Sequence, residues 1–153
     1  MPYETLRCTC PGLAGGVFAE AHTGRGADRS PAFCLENLSS RARTLAITLE
    51  DLSHPIAGFS HWVIWDLPAA PQVPEAIPAG RRVPELGAVQ GAAYGFHRYA
   101  GPKPPRGRQH TYRFTVYVLD CALGLPAGAG KRRLLRRMEG HILQAGRLEA
   151  VFG

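Results

Sequence analysis

Alternation of apolar and polar positions predicts three strands. Between Arg43 and Asp51, the residues Leu45, Ile47, Leu49 and Asp51 fall on one face, with Thr44, Thr48 and Glu50 on the other. Between His61 and Leu67 the row is His61, Val63, Trp65 and Leu67, and from His110 to Asp120 it is His110, Tyr112, Phe114, Val116 and Val118. Near the C-terminus the spacing changes to that of a helix. Leu134, Leu135, Met138, His141, Ile142 and Ala145 form an apolar stripe over Lys131–Ala145, and Gly146 stands where a helix C-cap is expected. Met1 to Arg29 reads as irregular or edge-strand structure, and Ser30 to Asn37 as a turn followed by a short strand. Pro55 and Gly58 mark the loop between the first two strands. Pro68 to Arg82 reads as a long surface connection, and Pro84 to Gly107 is rich in loops. The expected fold is mainly β, with two packed sheets and a late peripheral helix.

Composition narrows the class. The chain has 153 residues, a length suited to one domain over 1–153, and its 45% apolar and 20% charged content is that of a globular protein. No apolar run approaches the ~18 residues of a membrane span, and no basic start leads into an apolar leader. A cytoplasmic protein without a membrane span is expected. The net charge of +6 invites a nucleic-acid reading. The densest basic run, Lys131-Arg132-Arg133 with Arg136 and Arg137, lies on one amphipathic helix and reads first as a solvated face. Of the four cysteines, Cys8 and Cys10 are separated by one residue, too close for a zinc half-site, and Cys34 and Cys121 supply no second pair. They are expected to be free thiols, with no metal and no cofactor.

The candidate chemistry lies at strand ends. Asp51 ends the first apolar row, His61 begins the second and His110 begins the third. If the first two strands pair as a hairpin, Asp51 and His61 share one rim, where the carboxylate needs a partner that an imidazole can supply. Each of the three could equally be a boundary residue where core meets solvent; the repetition of the placement favours a site. The segment Tyr99-Ala-Gly-Pro-Lys-Pro-Pro-Arg-Gly107 precedes His110. Its prolines stiffen the backbone, so it can serve as one wall of a small anion site, or as a plain surface turn.

These stretches resemble the phosphatidylethanolamine-binding protein family, also called Raf kinase inhibitor-like proteins, in its short bacterial branch. The likeness rests on Leu45-Ala-Ile-Thr-Leu-Glu-Asp51 with Pro55, Gly58-Phe-Ser-His61-Trp-Val-Ile-Trp-Asp-Leu-Pro68, Tyr99-Ala-Gly-Pro-Lys-Pro-Pro105 and His110-Thr-Tyr-Arg-Phe-Thr-Val-Tyr117. Weaker matches are Thr23-Gly-Arg-Gly26, Ser30-Pro31 and Gly140-His-Ile-Leu143. The resemblance implies a two-sheet β-sandwich with peripheral helices, one of them C-terminal, and a small cavity for phosphate-like anions. It assigns Asp51, His61 and His110 to that cavity, Gly101, Pro102, Pro104 and Pro105 to its wall, and Pro55 to its lip. The family often has Asp-Pro-Asp in the first loop, where this chain has Asp51-Leu52-Ser53. The expected function is non-enzymatic binding of a small anionic or phosphorylated ligand, compatible with a protein partner or a homodimer and without nucleic acid. A small hydrolase using the Asp/His pocket and a nucleic-acid binder using the basic helix are the alternatives. No Gly-x-Ser-x-Gly elbow or comparable nucleophile motif supports the hydrolase.

Overall fold

In a computed structural model describing residues 3–153, the chain forms short and long strands interleaved with turns. In chain order these are β1 (Glu4–Thr5), β2 (Cys8–Thr9), β3 (Phe33–Leu35), β4 (Thr44–Asp51), β5 (Phe59–Pro68), β6 (Gln72–Val73), β7 (Arg82–Val83), β8 (Ala88–Gln90), β9 (His110–Leu119) and β10 (Ile142–Phe152), with helix α1 (Lys131–Met138) before the last. A seven-stranded sheet has the order β1-β10-β9-β4-β5-β8-β7, and a three-stranded sheet has the order β2-β3-β6. Phe33, Leu35 and Val73 of the small sheet meet Leu45, Ile47, Leu49, Trp62, Phe114 and Val116 of the large one, forming the main core. The opposite face of the large sheet presents Ala46, Val63, Trp65 and Leu119 to Leu134 and Met138 of α1. The result is a two-sheet mainly-β fold with its helix on the outer face. Among the described residues no helix is long and apolar enough to cross a membrane.

The predicted row His61-Val63-Trp65-Leu67 is not one face. β5 carries two register shifts against β4. Leu49 pairs with Trp62 while Glu50 pairs with Ser60, so His61 is an extra residue, a β-bulge that resets the alternation. His61 and Trp62 therefore share the inner face, and Val63 and Trp65 turn outward to the helix. A second shift lies between Leu45–Leu67 and Ile47–Ile64. There Asp66 takes a left-handed conformation (φ 58°), and its carboxylate accepts hydrogen bonds from the N–H groups of Leu123 (2.7 Å) and Gly124 (3.1 Å).

The helix expected over Lys131–Ala145 stops at Met138. Gly140 adopts φ 81°, and Ile142 onward runs as β10 against almost the whole of β9. Backbone pairing along that long strand overrides a local helical spacing. Gly146 is not a cap. It sits mid-strand, where a Cβ would lie 2.6 Å from the Leu6 carbonyl oxygen and 2.9 Å from Cys8 Sγ, so glycine lets the N-terminal segment approach. The proline-rich connection is also not purely superficial, because Val73 and Ile77 are buried within it. All four cysteines are free thiols, and burial pushes the Cys10 thiol up to about 11.

Candidate functional site

β4 lies between β5 and β9, and this order gathers the titratable strand ends. Asp51 pairs with Phe59 on one side and Tyr112 on the other, so His61 and His110, each two residues along on the same face, flank it. The three side chains line one cavity of about 430 Å³ with Ser53, His54, Pro55, Tyr94, Tyr112, Lys103, Pro104, Pro105 and Arg108. Asp51 is 3% exposed and His61 3%.

The partnerships differ from the sequence expectation of an Asp51–His61 pair. His110 Nδ1 donates to Asp51 Oδ2 at 2.7 Å, and the other carboxylate oxygen accepts the Ser53 N–H at 2.8 Å. His61 Nδ1 lies 2.8 Å from the Ala100 carbonyl oxygen and donates to it. In both imidazoles Nδ1 is thus committed to a protein acceptor, which leaves Nε2 for the cavity. For His61, burial lowers the pKa below its ordinary 6.5 and outweighs the opposing effects of the Ala100 carbonyl and the Asp51 charge. Burial also raises the Tyr112 phenol well above its ordinary value, so that group stays a neutral hydroxyl.

The proline segment does form a wall, with a division of labour. Pro104 and Pro105 line the cavity together with Lys103, whereas Gly101 and Pro102 lie behind it, outside the lining. Gly101 N–H donates to Asp28 Oδ1 (2.8 Å), and a Cβ there would collide with the His22 carbonyl. The Pro102 carbonyl accepts from Gly24 N–H (2.8 Å), and the Pro104 carbonyl from Arg25 Nη2 (2.7 Å). The Thr23–Gly26 stretch is thus a brace for the wall. Pro55 lines the cavity on the side of the β4–β5 loop.

Sequence reasoning missed Ser53, His54, Tyr94, Lys103, Arg108 and Tyr112 in this lining. Tyr112 could have been found, because it follows His110 on the same predicted face. Tyr94 had no signal; it arrives from a turn between β8 and the proline wall. At the other end of β9, Asp120, Cys121 and His141 cluster, with His141 Nδ1 2.9 Å from Asp120 Oδ1. This pair ties the end of β9 to the start of β10, beside Arg133, Arg136 and Arg137.

The profile of the phosphatidylethanolamine-binding protein family (PEBP) matches residues 11–153. This chain belongs to that family. A UPF0098 protein of Pyrococcus abyssi is 39% identical over 134 residues, covering 86% of this chain and 75% of the relative. A UPF0098 protein of Methanothermobacter thermautotrophicus is 34% identical, covering 90% of this chain and 91% of the relative. The crystal structure of CT736 from Chlamydia trachomatis, described as a PEBP homolog, superposes with a TM-score of 0.83 at 25% identity over 98% of both chains. Escherichia coli YbcL, described as a member of the mammalian PEBP family, gives a TM-score of 0.84 over 96% of this chain and 97% of its own at 22% identity, a likeness of fold. The PEBP assignment and the two-sheet fold agree with the sequence resemblance.

Proposed function

We propose that this PEBP-family protein is a non-enzymatic binding module whose cavity takes a small anion or a phosphorylated small molecule. One observation carries the reading: the charge balance of the lining. Among the described residues its only carboxylate, Asp51, is already engaged by the Ser53 N–H and by His110, while Lys103, Arg108 and two imidazole Nε2 atoms remain to meet a ligand. An anion in such a cavity gains charge-assisted hydrogen bonds without facing a free carboxylate. The wall loop supports the same reading, since it is rigid and braced before any ligand arrives.

A hydrolase would need a nucleophile held by one of these imidazoles. Among the described residues no hydroxyl or thiol is hydrogen-bonded to His61 or His110. Ser60, next to His61, pairs with Glu50 on the opposite face of the sheet.

The test is calorimetric titration with inorganic phosphate at pH 6. His61→Ala and His110→Ala should each weaken binding by about tenfold or more, as loss of one hydrogen bond to a charged group implies, with the fold retained by circular dichroism. Absence of phosphate binding at millimolar concentration, or wild-type affinity in both variants, would overturn the reading.

A further inference from the structure

Tyr94 stands in a conformation that its side chain disfavours. Ala93 and Phe96 exchange both backbone hydrogen bonds (3.1 and 2.8 Å) around a two-residue turn, and both central residues have positive φ, 53° at Tyr94 and 75° at Gly95. This is the pattern of a type I′ turn, whose first central position suits Asn, Asp or Gly. Gly95 fits; a bulky aromatic at the left-handed position is an outlier. Such strain persists where surrounding structure imposes it, and it collects at ligand sites.

The strained residue lies in the cavity lining. Its ring centroid is 4.6 Å from that of His61, whose Nε2 is free for a ligand, and 5.5 Å from Phe59. Yet Tyr94 is 44% exposed, so the ring is not there to fill the core. Phe96, 40% exposed, stacks parallel to it at 6.1 Å and 13°, with the Arg98 guanidinium 4.0 Å above the Phe96 ring. An exposed aromatic surface thus begins at Tyr94, beside His61, and continues through Phe96. An anion seated on the imidazoles and cations would point any substituent along it.

We propose that Tyr94 is a specificity-determining residue of this site, an aromatic shelf that selects an anion bearing an aryl or other apolar substituent over the bare anion. The inference rests on the anion-site reading above and adds the chemical class that the site prefers. The turn carries the ring to 4.6 Å from His61, and the residues that its first central position suits, Asn, Asp or Gly, would bring no ring there.

The experiment compares phenyl phosphate with inorganic phosphate by calorimetry at one pH and ionic strength, read as the ratio of affinities. Ring stacking of ordinary strength makes phenyl phosphate bind about three- to tenfold tighter to the wild-type protein. Tyr94→Asn, at home in a type I′ turn, should fold and bring the ratio toward one. Tyr94→Phe keeps the ring and should keep the ratio, which separates stacking from the hydroxyl. A wild-type ratio of one, or an undiminished ratio in Tyr94→Asn, overturns the proposal while leaving the anion site standing. Failure of the wild-type protein to bind either ligand overturns both.

Discussion

Anion binding should draw a proton onto His61. With Nδ1 donating to the Ala100 carbonyl and the pKa lowered by burial, the unliganded imidazole is neutral at pH 7 and offers the cavity only a lone pair at Nε2. An anion in contact changes that balance. A unit negative charge about 4 Å from an imidazolium is worth ~1 kcal/mol at the dielectric of water and ~4 kcal/mol at an effective value of 20. At 1.36 kcal/mol per pKa unit this raises the His61 pKa by roughly 0.7 to 3 units. Affinity therefore falls as pH rises through the window between the free and bound values, by about fivefold at the least and by up to about three orders of magnitude. The same lowered pKa sets a stability profile. The unfolded chain takes up the proton near 6.5 and the folded one only at lower pH, so stability is complete above 6.5 and declines as pH falls toward the folded value.

Sulfate is the suitable probe, because its charge is constant across this range. Calorimetry at pH 7 in buffers of different ionisation enthalpy should show net proton uptake on binding, of up to one proton per sulfate bound. His61→Gln cannot titrate and should flatten the affinity profile, and should also remove the acid-side loss of stability that His61 causes. An affinity profile equally steep in His61→Gln and in the wild-type protein would refute the argument.

Three further perturbations follow from the packing. Asp51→Ala strips both the Ser53 N–H and His110 Nδ1 of their acceptor and should cost about 1–3 kcal/mol, read as a fall in thermal midpoint. Gly146→Ala forces a methyl against the Leu6 carbonyl and Cys8 Sγ, and should destabilise by about 1–3 kcal/mol, measured by urea denaturation. Replacing Arg132, Arg136 and Arg137 together by Gln should leave sulfate affinity unchanged. That helix packs on the outer face of the large sheet, away from the cavity, and a loss of affinity on titration would place the helix at the site.

The two strands most legible in the sequence, over 44–51 and 110–119, are those whose alternation runs unbroken, because their inner faces are apolar and buried while Thr44, Glu50, Thr111 and Arg113 on the other face stay polar and partly exposed. They carry Asp51 and His110, which the β4–β9 pairing brings to one end of the large sheet, whereas the hairpin pattern alone joins Asp51 to His61. Between them β5 was found, but not its phase. A bulge leaves no mark in a hydrophobic pattern, since His61 and Trp62 on one face read the same as two residues on opposite faces. The helix end was lost for a related reason: Ile142 and Ala145 satisfy a helical stripe, and only the presence of β9 beside them turns the segment into a strand.

The sequence alone points to an inward carboxylate at Asp51, imidazoles near the starts of two strands and a stiff proline segment. These are properties of single residues and of short-range periodicity, which act within a few positions along the chain. Which groups pair was decided by the sheet order. It sets β4 between β5 and β9, gives Asp51 to His110 and leaves His61 to the Ala100 carbonyl. Tyr94, Lys103 and Arg108 join from loops whose local sequence carries no period, and their positions depend on braces from Thr23–Gly26 and on a strained turn. Those contacts span long separations along the chain, and their geometry exists only once the two sheets have packed.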